Sequence, residues 1–475
     1  MNETQVPNIG ARPSAPGELP PVIRAAYALL EKAVIHYQGR PVGTVAAVAE
    51  HLPAANYGEC FVRDFVPAGL VFLMDGRTEI VRNFLLTTLE LRTKAPQLAG
   101  HYKTPGVLPA SFHVVRSETG AETLQSDFGD RAIGRVAPVD SMMWWVALLA
   151  RYVESTGDLD LVRTPAVQAG LRGILDLVMQ DSFEIYPTLL TPDGCFMIDR
   201  RMGVYGHPLE VQALFYGLLK AMRFLLSPCD ENCEILGLVR ERGVVLRNFV
   251  RRHYWLDLRR LNEIHRYHTE EFGSEVTNVL NIYPEIIPDW ITDWLPDEGG
   301  YLAGNIGPGR LDFRFFTLGN LIAITTGLAS EEMARHIFAL YAARWDDLVG
   351  LMPLKICHPA LEGAEWELMT GSDPKNTPWS YHNAGNWPAL LHFFTSAALR
   401  AGRADLAESA FRTAAARLAA DGWPEYYDGR RGRLIGRRAA LNQVWSATSL
   451  IAAYRLLENP DRVSKIYLPS IEAEL

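Results

Sequence analysis

The chain has few cysteines, no long apolar run and no excess of basic residues. Its 5 cysteines among 475 residues are too few and too scattered for the disulfide framework of a small secreted protein. The longest apolar run, residues 142–150, is about half the length of a membrane-spanning helix. The net charge of -9 argues against the concentrated basic face of a nucleic-acid-binding protein. The odd number of thiols is typical of a cytoplasmic protein.

Sequence patterns for cofactors and metals are also missing. Residues 304–309 (GNIGPG) are rich in glycine, but a dinucleotide-binding fingerprint requires a preceding strand and a parallel sheet. Cys229 and Cys233 are four residues apart, but no second pair of ligands follows them at zinc spacing. We therefore expect no cofactor, no metal, no nucleic-acid partner and no membrane attachment.

The ends of the chain predict a simple domain organisation. Residues 1–20 are polar, contain several prolines and glycines, and lack the apolar segment of a signal peptide. We expect a disordered N-terminal tail over residues 1–20, one catalytic domain over 21–460 and a C-terminal tail over 461–475. This organisation predicts a cytoplasmic protein.

Helical periodicity dominates the chain. Residues 404–420 are typical, because Ala407, Ala410, Ala414 and Leu418 form one apolar stripe. The same reasoning predicts twelve helices, at roughly 22–37, 65–74, 78–93, 139–155, 165–180, 207–227, 233–250, 310–327, 330–345, 387–401, 404–420 and 440–457.

Twelve helices in pairs favour an all-α (α/α)6 barrel, built from six helical hairpins as one domain. No repeat of fixed period supports a solenoid instead. The long connections all precede even-numbered helices, so they should open at one mouth, and residues 107–127 should add a small β-hairpin with a turn at Gly120. Asp199 precedes the sixth helix and Glu425 the twelfth. If the even-numbered helices form the inner ring, these two carboxylates face each other across the mouth.

Asp199 and Glu425 are the strongest candidates for chemistry. Residues 197–203 read MIDRRMG and residues 423–429 read WPEYYDG, so each carboxylate lies among arginine, aromatic or glycine residues. A protonated and an ionised carboxyl group together suffice to hydrolyse a glycosidic bond. Asp199 could instead cap a helix or pair with an arginine. Glu425 could instead belong to a buried structural pair.

Charged, polar and aromatic residues recur near the starts of the even-numbered helices. Sugars require this mixture, because their hydroxyl groups need donors and acceptors while their C–H faces stack on aromatic rings. Helix capping or ordinary packing is the alternative for several of these residues. The candidates for substrate binding are Arg63, Asp64, Asp140, Arg200, Arg201, Gln212, Asp312, Arg314, His382, Trp387, Tyr426, Gln443 and Trp445.

From about residue 57 to 460 the chain resembles the alkaline/neutral invertases, intracellular sucrose hydrolases of cyanobacteria and plants. The motifs that carry the resemblance are FVRDFVP at 61–67, IGRVAPVDS at 133–141, DGC at 193–195, DRRMGVYG at 199–206, DPKNT at 373–377 and WPEYYDG at 423–429. The resemblance implies an (α/α)6 barrel and inverting hydrolysis. It also implies Asp199 as general acid and Glu425 as general base.

One residue departs from the pattern of the family. Ala384 stands where the family usually carries a glycine after Tyr-His-Asn. Alanine adopts most glycine conformations except those with positive φ, so we expect a local adjustment rather than a loss of activity.

The resulting hypothesis is an inverting hydrolase that cleaves sucrose to glucose and fructose without a cofactor. Association into a homo-oligomer is left open. Room for the attacking water implies that the two carboxyl groups are roughly 6.5–9.5 Å apart. Alternatives are a glycosidase for another glucoside such as trehalose, a silent sugar sensor, and a sugar epimerase on the same barrel. The epimerase would use two of His207, His268 and His382.

Overall fold

The computed structural model describes residues 19–48, 55–92, 97–98, 102–103, 106–129, 138–180, 184–191, 196–198, 200–266, 278–307 and 310–462. Most of the expected N-terminal and C-terminal tails, residues 1–18 and 463–475, lie outside these ranges. Asp199 and His268 also lie outside them.

The described residues are mostly helical. The α-helices are α1 Pro21–Ala33, α2 Val62–Met74, α3 Thr78–Glu90, α4 Ser141–Thr156, α5 Leu159–Val162, α6 Pro165–Val178, α7 Leu209–Leu225, α8 Asp230–His253, α9 Leu258–Arg266, α10 Asp289–Trp294, α11 Thr317–Thr326, α12 Glu331–Ala343, α13 Trp345–Leu348, α14 Gly363–Thr370, α15 Leu391–Arg400, α16 Ala404–Ala415 and α17 Val444–Glu458. A helix overlaps each of the twelve predicted regions. No helix among the described residues combines the length and apolar character needed to cross a bilayer.

Small antiparallel sheets decorate the connections. The strands are β1 Val34–Tyr37, β2 Arg40–Thr44, β3 Cys60–Phe61, β4 Gln97–Leu98, β5 Tyr102–Lys103, β6 Ser111–Arg116, β7 Glu122–Asp127, β8 Glu184–Ile185, β9 Thr188–Leu189, β10 His207–Pro208, β11 Trp255–Leu256, β12 Tyr301–Leu302, β13 Asn305–Gly307, β14 Arg310–Asp312, β15 Phe315–Phe316 and β16 Cys357–His358. The predicted hairpin is confirmed: β6 pairs with β7 in the register Ser111 to Asp127, and Gly120 has a φ of 82° in the turn.

Six helices contact one another in a cycle, and we call them the ring helices. α2 packs against α4, α4 against α7, α7 against α11, α11 against α15, α15 against α17, and α17 against α2. These are the even-numbered members of the twelve predicted helices. All ten residues of α11 are buried, as expected for a helix that is covered on every side. In this cycle α7 and α17 are three steps apart in either direction.

Other helices cover the outside of this cycle. α1 packs on α17, α3 on α2, α8 on α7, α12 on α11, and α16 on α15. α6 is tied to the end of α7, because the amide of Gln168 donates to the carbonyl oxygen of Leu225 at 3.0 Å. α3 also contacts α4, so each ring helix buries one side against its ring neighbours and another against an outer helix.

The segments that precede the ring helices are joined to one another by backbone hydrogen bonds. We call the end of the cycle at which these bonds lie the mouth. They run from Val62 to Ala110 at 2.9 Å, Leu209 to Gly304 at 3.0 Å, Thr317 to Ile356 at 3.0 Å, Tyr427 to Asn386 at 2.7 Å and Val444 to Ala46 at 2.9 Å, donor named first.

Two predicted helix boundaries are wrong for the same reason. The first helix ends at Ala33 rather than near residue 37, because residues 34–37 form β1. The eighth begins at Thr317 rather than near residue 310, because residues 310–316 form β14 and β15. Apolar residues that suit a helix also suit a short strand, and here tertiary pairing decides between them.

Close packing between α7 and α11 depends on Gly319. A Cβ atom at this position would lie 3.0 Å from Cγ of Leu209 and 3.1 Å from the backbone nitrogen of Glu210. Both contacts are tighter than a well-packed interior tolerates. Two ring helices can approach each other here because residue 319 has no side chain.

We predict that Gly319→Leu lowers stability by about 1–3 kcal/mol, because the inserted side chain forces α7 and α11 apart. The matched control is Gly237→Leu on the exposed face of α8, where a Cβ atom meets nothing within 4 Å. Thermal unfolding followed by circular dichroism measures both variants. Equal melting temperatures for the two variants would show that the close approach contributes nothing.

Candidate active site

Glu425 is a buried carboxylate at the mouth. Only 3% of the residue is exposed. The hydroxyl group of Tyr57 donates to its Oε1 at 2.8 Å, and the backbone N–H of Ala440 donates to its Oε2 at 3.4 Å. Burial raises the pKa of Glu425, while Lys375 and the Tyr57 hydroxyl oppose that rise. The carboxylate is therefore held in one place and poised to accept a proton.

The backbone around Glu425 is held on both sides. Its own N–H donates to the carbonyl oxygen of Ala440 at 2.8 Å, and Tyr427 exchanges two hydrogen bonds with Asn386 at 2.7 and 2.9 Å. Gly429 donates to the carbonyl oxygen of Trp379 at 2.7 Å. The segment that carries the carboxylate thus lies between the loops that precede α15 and α17.

Aromatic rings in this segment and beside it pack on one another. The rings of Trp387 and Tyr426 stack at 5.5 Å with an interplanar angle of 19°, and Trp445 meets Trp387 edge-on at 5.7 Å. Trp387 and Tyr426 are each only 1% exposed. Both were candidates for substrate contact, and the structure gives them a packing role against the carboxylate segment.

Backbone strain is concentrated in the same two loops. Seven non-glycine residues there have φ between 49° and 67°: Ser372, Trp379, Tyr381, Ala384, Trp423, Arg438 and Asn442. Such residues each cost on the order of 1 kcal/mol or more, and they cluster at functional sites in proteins. Ala384 has a φ of 67°, so alanine here adopts the conformation that glycine favours.

Arg63 joins two carboxylates at the start of α2. Its Nη1 lies 2.7 Å from Oδ2 of Asp140, and its Nε lies 3.9 Å from Oδ1 of Asp64. Burial, together with the nearby carboxylates of Glu425 and Asp140, raises the pKa of Asp64 to about 7, although Arg63 opposes the rise. Neither aspartate caps its helix: Asp64 lies inside the first turn of α2, and the Asp140 carboxylate accepts from Arg63 and from Nε1 of Trp144.

Glu210 is a buried carboxylate that sequence reasoning missed. It is 4% exposed in the first turn of α7, and its Oε1 accepts the backbone N–H of Met197 at 3.0 Å. Burial and the charge of Asp140 raise the pKa of Glu210 to about 8, against the effects of Met197 and Arg63. Glu210 therefore anchors the chain two residues before Asp199 and lies beside the Arg63–Asp140 pair.

The turn that follows Asp199 is fixed by two arginines. Arg201 lies 3.0 Å from Asp373, and Nη2 of Arg314 donates to the carbonyl oxygen of Met202 at 3.0 Å. Burial alone would raise the pKa of Asp373. Hydrogen bonds from the Lys375 backbone N–H, Asn376 and Arg201 outweigh it and lower that pKa. Arg200 is in the 3-10 turn Arg200–Met202, and its side chain lies outside the described residues. The Asp312 carboxylate accepts two hydrogen bonds from the Arg314 guanidinium, of 2.9 and 2.6 Å.

The remaining candidates have structural partners. Gln212 bonds both the N–H and the carbonyl oxygen of Leu189, at 2.8 and 2.9 Å. Gln443 precedes α17, and in its better amide orientation it donates to the Ala46 carbonyl oxygen and accepts from Nε1 of Trp445. His382 stacks on Tyr381 at 4.1 Å, and its pKa lies well below the ordinary value because the ring is buried.

Tyr57 and Glu210 carried no signal that a single sequence could reveal. Each reaches its partner across the fold: Tyr57 is 368 residues from Glu425, and Glu210 faces Asp140 from a different ring helix. His207, an epimerase candidate, has its Nδ1 2.8 Å from the Thr188 hydroxyl oxygen. In the part of the chain that the structure describes, no group of three His, Cys, Asp or Glu residues could hold a metal ion.

Comparison with known proteins finds similarity along almost the whole chain. Residues 26–460 match the protein family described as alkaline and neutral invertase. Alkaline/neutral invertase C, mitochondrial, of Arabidopsis thaliana is 48% identical over 453 residues, which are 94% of this chain and 68% of that protein. Cytosolic invertase 1 of Oryza sativa subsp. japonica is 47% identical over 456 residues, 95% of this chain and 81% of that protein.

Solved structures of low sequence identity share the fold. A wild-type glycosidase superposes with a TM-score of 0.54 at 14% identity, covering 92% of this chain and 96% of that one. A bacterial glucoamylase complexed with acarbose gives a TM-score of 0.53 at 12% identity, covering 94% of this chain and 57% of that one.

We predict that Glu210→Gln becomes more stable relative to the parent as the pH rises. The folded protein holds the Glu210 proton more tightly than the unfolded chain does, because its pKa rises from 4.5 to about 8. The stability associated with that proton is present below pH 4.5 and is lost as the pH rises towards 8. One pKa unit corresponds to about 1.4 kcal/mol, so a few kcal/mol are at stake.

Urea unfolding at pH 5, 6.5 and 8 measures this difference. The matched control is Glu408→Gln on α16, whose carboxylate is 57% exposed. The control should show no such trend. A difference between Glu210→Gln and the parent that is constant across the three pH values contradicts the assignment of a buried, protonated Glu210.

Proposed function

Because the chain belongs to the alkaline and neutral invertase family, we propose that it hydrolyses sucrose to glucose and fructose with inversion at the glucosyl carbon. The observation that carries this proposal is a buried carboxylate, Glu425, fixed at the mouth across the helix cycle from the segment that bears Asp199. The fold comparisons with a glycosidase and a glucoamylase are consistent with it.

We also propose that the six ring helices and their outer partners form an (α/α)6 barrel in one domain. The cycle of contacts from α2 through α17 and back supports the inner ring, and the outer contacts support the second layer. The shared hydrogen bonds between the connecting segments support a single mouth. A single domain over residues 21–460 with short tails remains a prediction, as do the cytoplasmic location and a homo-oligomer.

Glu425 acts as the general base in this proposal. It removes a proton from water, and the water oxygen forms a new bond to the anomeric carbon of the glucosyl unit from the face opposite the leaving group. The Tyr57 hydroxyl orients Oε1 and leaves Oε2 to bind water, because the partner of Oε2 among the described residues is the Ala440 backbone N–H at 3.4 Å. Burial and Glu425 itself raise the pKa of Tyr57 far above its ordinary value, so Tyr57 remains a donor.

Asp199 acts as the general acid. It gives its proton to the bridging oxygen, the bond from that oxygen to the anomeric carbon breaks, and fructose leaves with the proton. The acid must hold this proton near neutral pH, which requires that nearby positive charge be neutralised. Asp373 neutralises Arg201 at 3.0 Å, and Asp312 neutralises Arg314 at 2.6 Å.

The glucosyl unit binds between these two groups. Arg63, Asp64 and Asp140 offer donors and acceptors at the start of α2 and α4, and both Asp64 and Tyr57 lie close enough to Glu425 to feel its charge. Bidentate groups of this kind suit the neighbouring hydroxyls of a pyranose. Asp64, Asp140 and Arg63 are therefore the proposed glucose contacts.

We predict that proton NMR of the purified protein with sucrose shows β-glucose before α-glucose. Inversion of an α-glucoside yields the β-anomer first, and mutarotation then equilibrates the two. Asp199→Asn and Glu425→Gln should each reduce kcat by a factor of about 10² or more. α-Glucose appearing first would exclude inversion, and no glucose at all would favour another glucoside or the epimerase, which Asp199→Asn should leave active.

We predict that Tyr57→Phe moves the acid limb of the kcat/KM profile to higher pH. The hydrogen bond from Tyr57 lowers the pKa of Glu425, so its loss raises that pKa, and the base is then protonated over a wider acidic range. A lost hydrogen bond to a charged group also costs about 1.5–3 kcal/mol, or roughly 10- to 100-fold in kcat.

Tyr27→Phe is the matched control. Its hydroxyl donates to Oδ1 of Asp75 at 3.1 Å, and Asp75 follows the last residue of α2, at the end away from the mouth. This variant loses the same kind of hydrogen bond without contact with Glu425. If the two variants show the same pH profile, Tyr57 does not act through the base.

A further inference from the structure

A cavity of about 620 Å³ lies between strand β1, strand β6 and the segment that precedes β3. Small-molecule sites typically have volumes of roughly 300–1,000 Å³. The polar side chains that line this cavity belong to His36, Glu59, His113 and Arg116. Its lining, among the described residues, includes none of those placed at the candidate active site. The cavity is therefore a site distinct from the one that contains Glu425.

The polar lining residues differ in depth. The side chain of Glu59 is 9% exposed, that of His113 is 27% exposed and that of Arg116 is 71% exposed. His36 is exposed as well. The carboxylate therefore lies at the floor of the cavity, whereas the guanidinium group and one imidazole lie at its rim.

The carboxylate at the floor is held in place by its neighbours. The Ser111 hydroxyl donates to Oε2 of Glu59 at 2.6 Å, and Nδ1 of His113 lies 3.6 Å from Oε1. A carboxylate repels a phosphate group by like charge, but it accepts hydrogen bonds from hydroxyl groups. The floor therefore suits the hydroxyl end of a ligand and disfavours an anionic end.

The rim has the opposite character. Nε of Arg116 pairs with Oε1 of Glu122 at 2.9 Å, which fixes the direction of the guanidinium group. The Nη groups carry the other N–H donors of that fork, and paired N–H donors of this kind bind phosphate oxygens well. The His36 imidazole adds a further donor from β1. The rim therefore suits a phosphate group.

A ligand that matches this order has hydroxyl groups at one end and a phosphate at the other. The apolar side chains of Val34, Ile35 and Val114 also line the cavity and would cover the C–H groups between the two ends. We propose that this cavity binds a phosphorylated sugar, with its phosphate on His36 and Arg116 and its hydroxyl groups toward Glu59. The proposal concerns a second site and does not rest on the hydrolysis of sucrose.

The floor of the cavity belongs to the segment that orients the proposed base. Gly58 lines the cavity and lies between Tyr57 and Glu59, and the Tyr57 hydroxyl donates to Glu425 at 2.8 Å. The carbonyl oxygens of Tyr57 and Glu59 each accept a backbone N–H from residues 46–47, at 3.0 Å. A ligand in this cavity would therefore contact the same short stretch of chain that holds the base.

Isothermal titration calorimetry of the full chain with glucose 6-phosphate and with inorganic phosphate tests the proposal. Glucose 6-phosphate should bind at least about 10-fold more tightly than inorganic phosphate, because the site contacts both ends of the sugar phosphate. Arg116→Ala should weaken the binding of glucose 6-phosphate by about 10-fold or more, because a charge-assisted pair is lost. Glu59→Gln should reduce the preference for glucose 6-phosphate over inorganic phosphate, because a hydroxyl acceptor is weakened.

Arg259→Ala is the matched control. Nε of Arg259 pairs with Oε1 of Glu263 at 3.2 Å, much as Arg116 pairs with Glu122, but Arg259 does not line the cavity. This variant should bind glucose 6-phosphate as the parent does. Both arginines are mainly exposed, so both alanine variants are expected to fold. They carry the test even if Glu59→Gln, at a buried position, does not fold.

The possible outcomes decide the proposal whether or not the chain cleaves sucrose. Equal binding of glucose 6-phosphate by the parent and by Arg116→Ala would place the ligand elsewhere, such as at the candidate active site, and would overturn the proposal. Absence of binding to the parent at millimolar concentrations would overturn it too. Equal affinity for inorganic phosphate would overturn the assignment to a sugar phosphate. Weaker binding in Arg116→Ala, with the Arg259→Ala control unchanged, would support the site.

Discussion

A carboxylate buried among aromatic rings must be hydrogen-bonded in one orientation, and the mouth is organised around how Glu425 meets this requirement. An uncompensated buried charge is costly, and a carboxyl group without donors takes up a proton instead. The Tyr57 hydroxyl supplies one donor from the segment before α2, and the Ala440 backbone supplies a weaker one from the segment before α17. These segments are themselves joined by the hydrogen bond from Val444 to Ala46. The ring of helices therefore fixes the charge by bringing distant loops together.

Rigidity of this kind also explains how the site tolerates strain. Left-handed residues such as Trp379, Ala384 and Trp423 would relax in an isolated loop, because each conformation costs free energy. Here the two loops share backbone hydrogen bonds, and a Cβ atom at Gly429 would lie only 1.6 Å from the carbonyl oxygen of Ala384. Each loop therefore prevents the other from relaxing. The strained backbone thereby fixes the orientation of the peptide segment that carries Glu425.

Sequence periodicity predicted the helices well because a one-sided apolar stripe is a local property. It misplaced the start of α11, where Arg310–Asp312 pairs with a strand close in the chain rather than continuing a helix. Motif reasoning singled out Glu425, Arg63 and Asp140 as candidates, because their neighbours in sequence are unusual. It could not find Tyr57, whose role depends on a contact between segments hundreds of residues apart. It also could not predict that the side-chain amide of Gln212 hydrogen-bonds the backbone of Leu189.

The charge balance at the mouth explains why two buried carboxyl groups there, Asp64 and Glu210, hold their protons near neutral pH. Arg63 lies against Asp64 and Asp140, and Glu210 lies beside that pair, so three carboxyl groups share one guanidinium. They cannot all ionise in a buried site, which is why burial and mutual repulsion raise the pKa of Asp64 to about 7 and that of Glu210 to about 8. Glu210 also anchors Met197, so the segment bearing the acid starts next to this surplus of negative potential. A negative surplus favours the protonated form of any further carboxyl group, and Arg201, two residues after Asp199, is neutralised by Asp373 at 3.0 Å. In the proposed mechanism, the same cluster binds the sugar and favours the protonated form of Asp199.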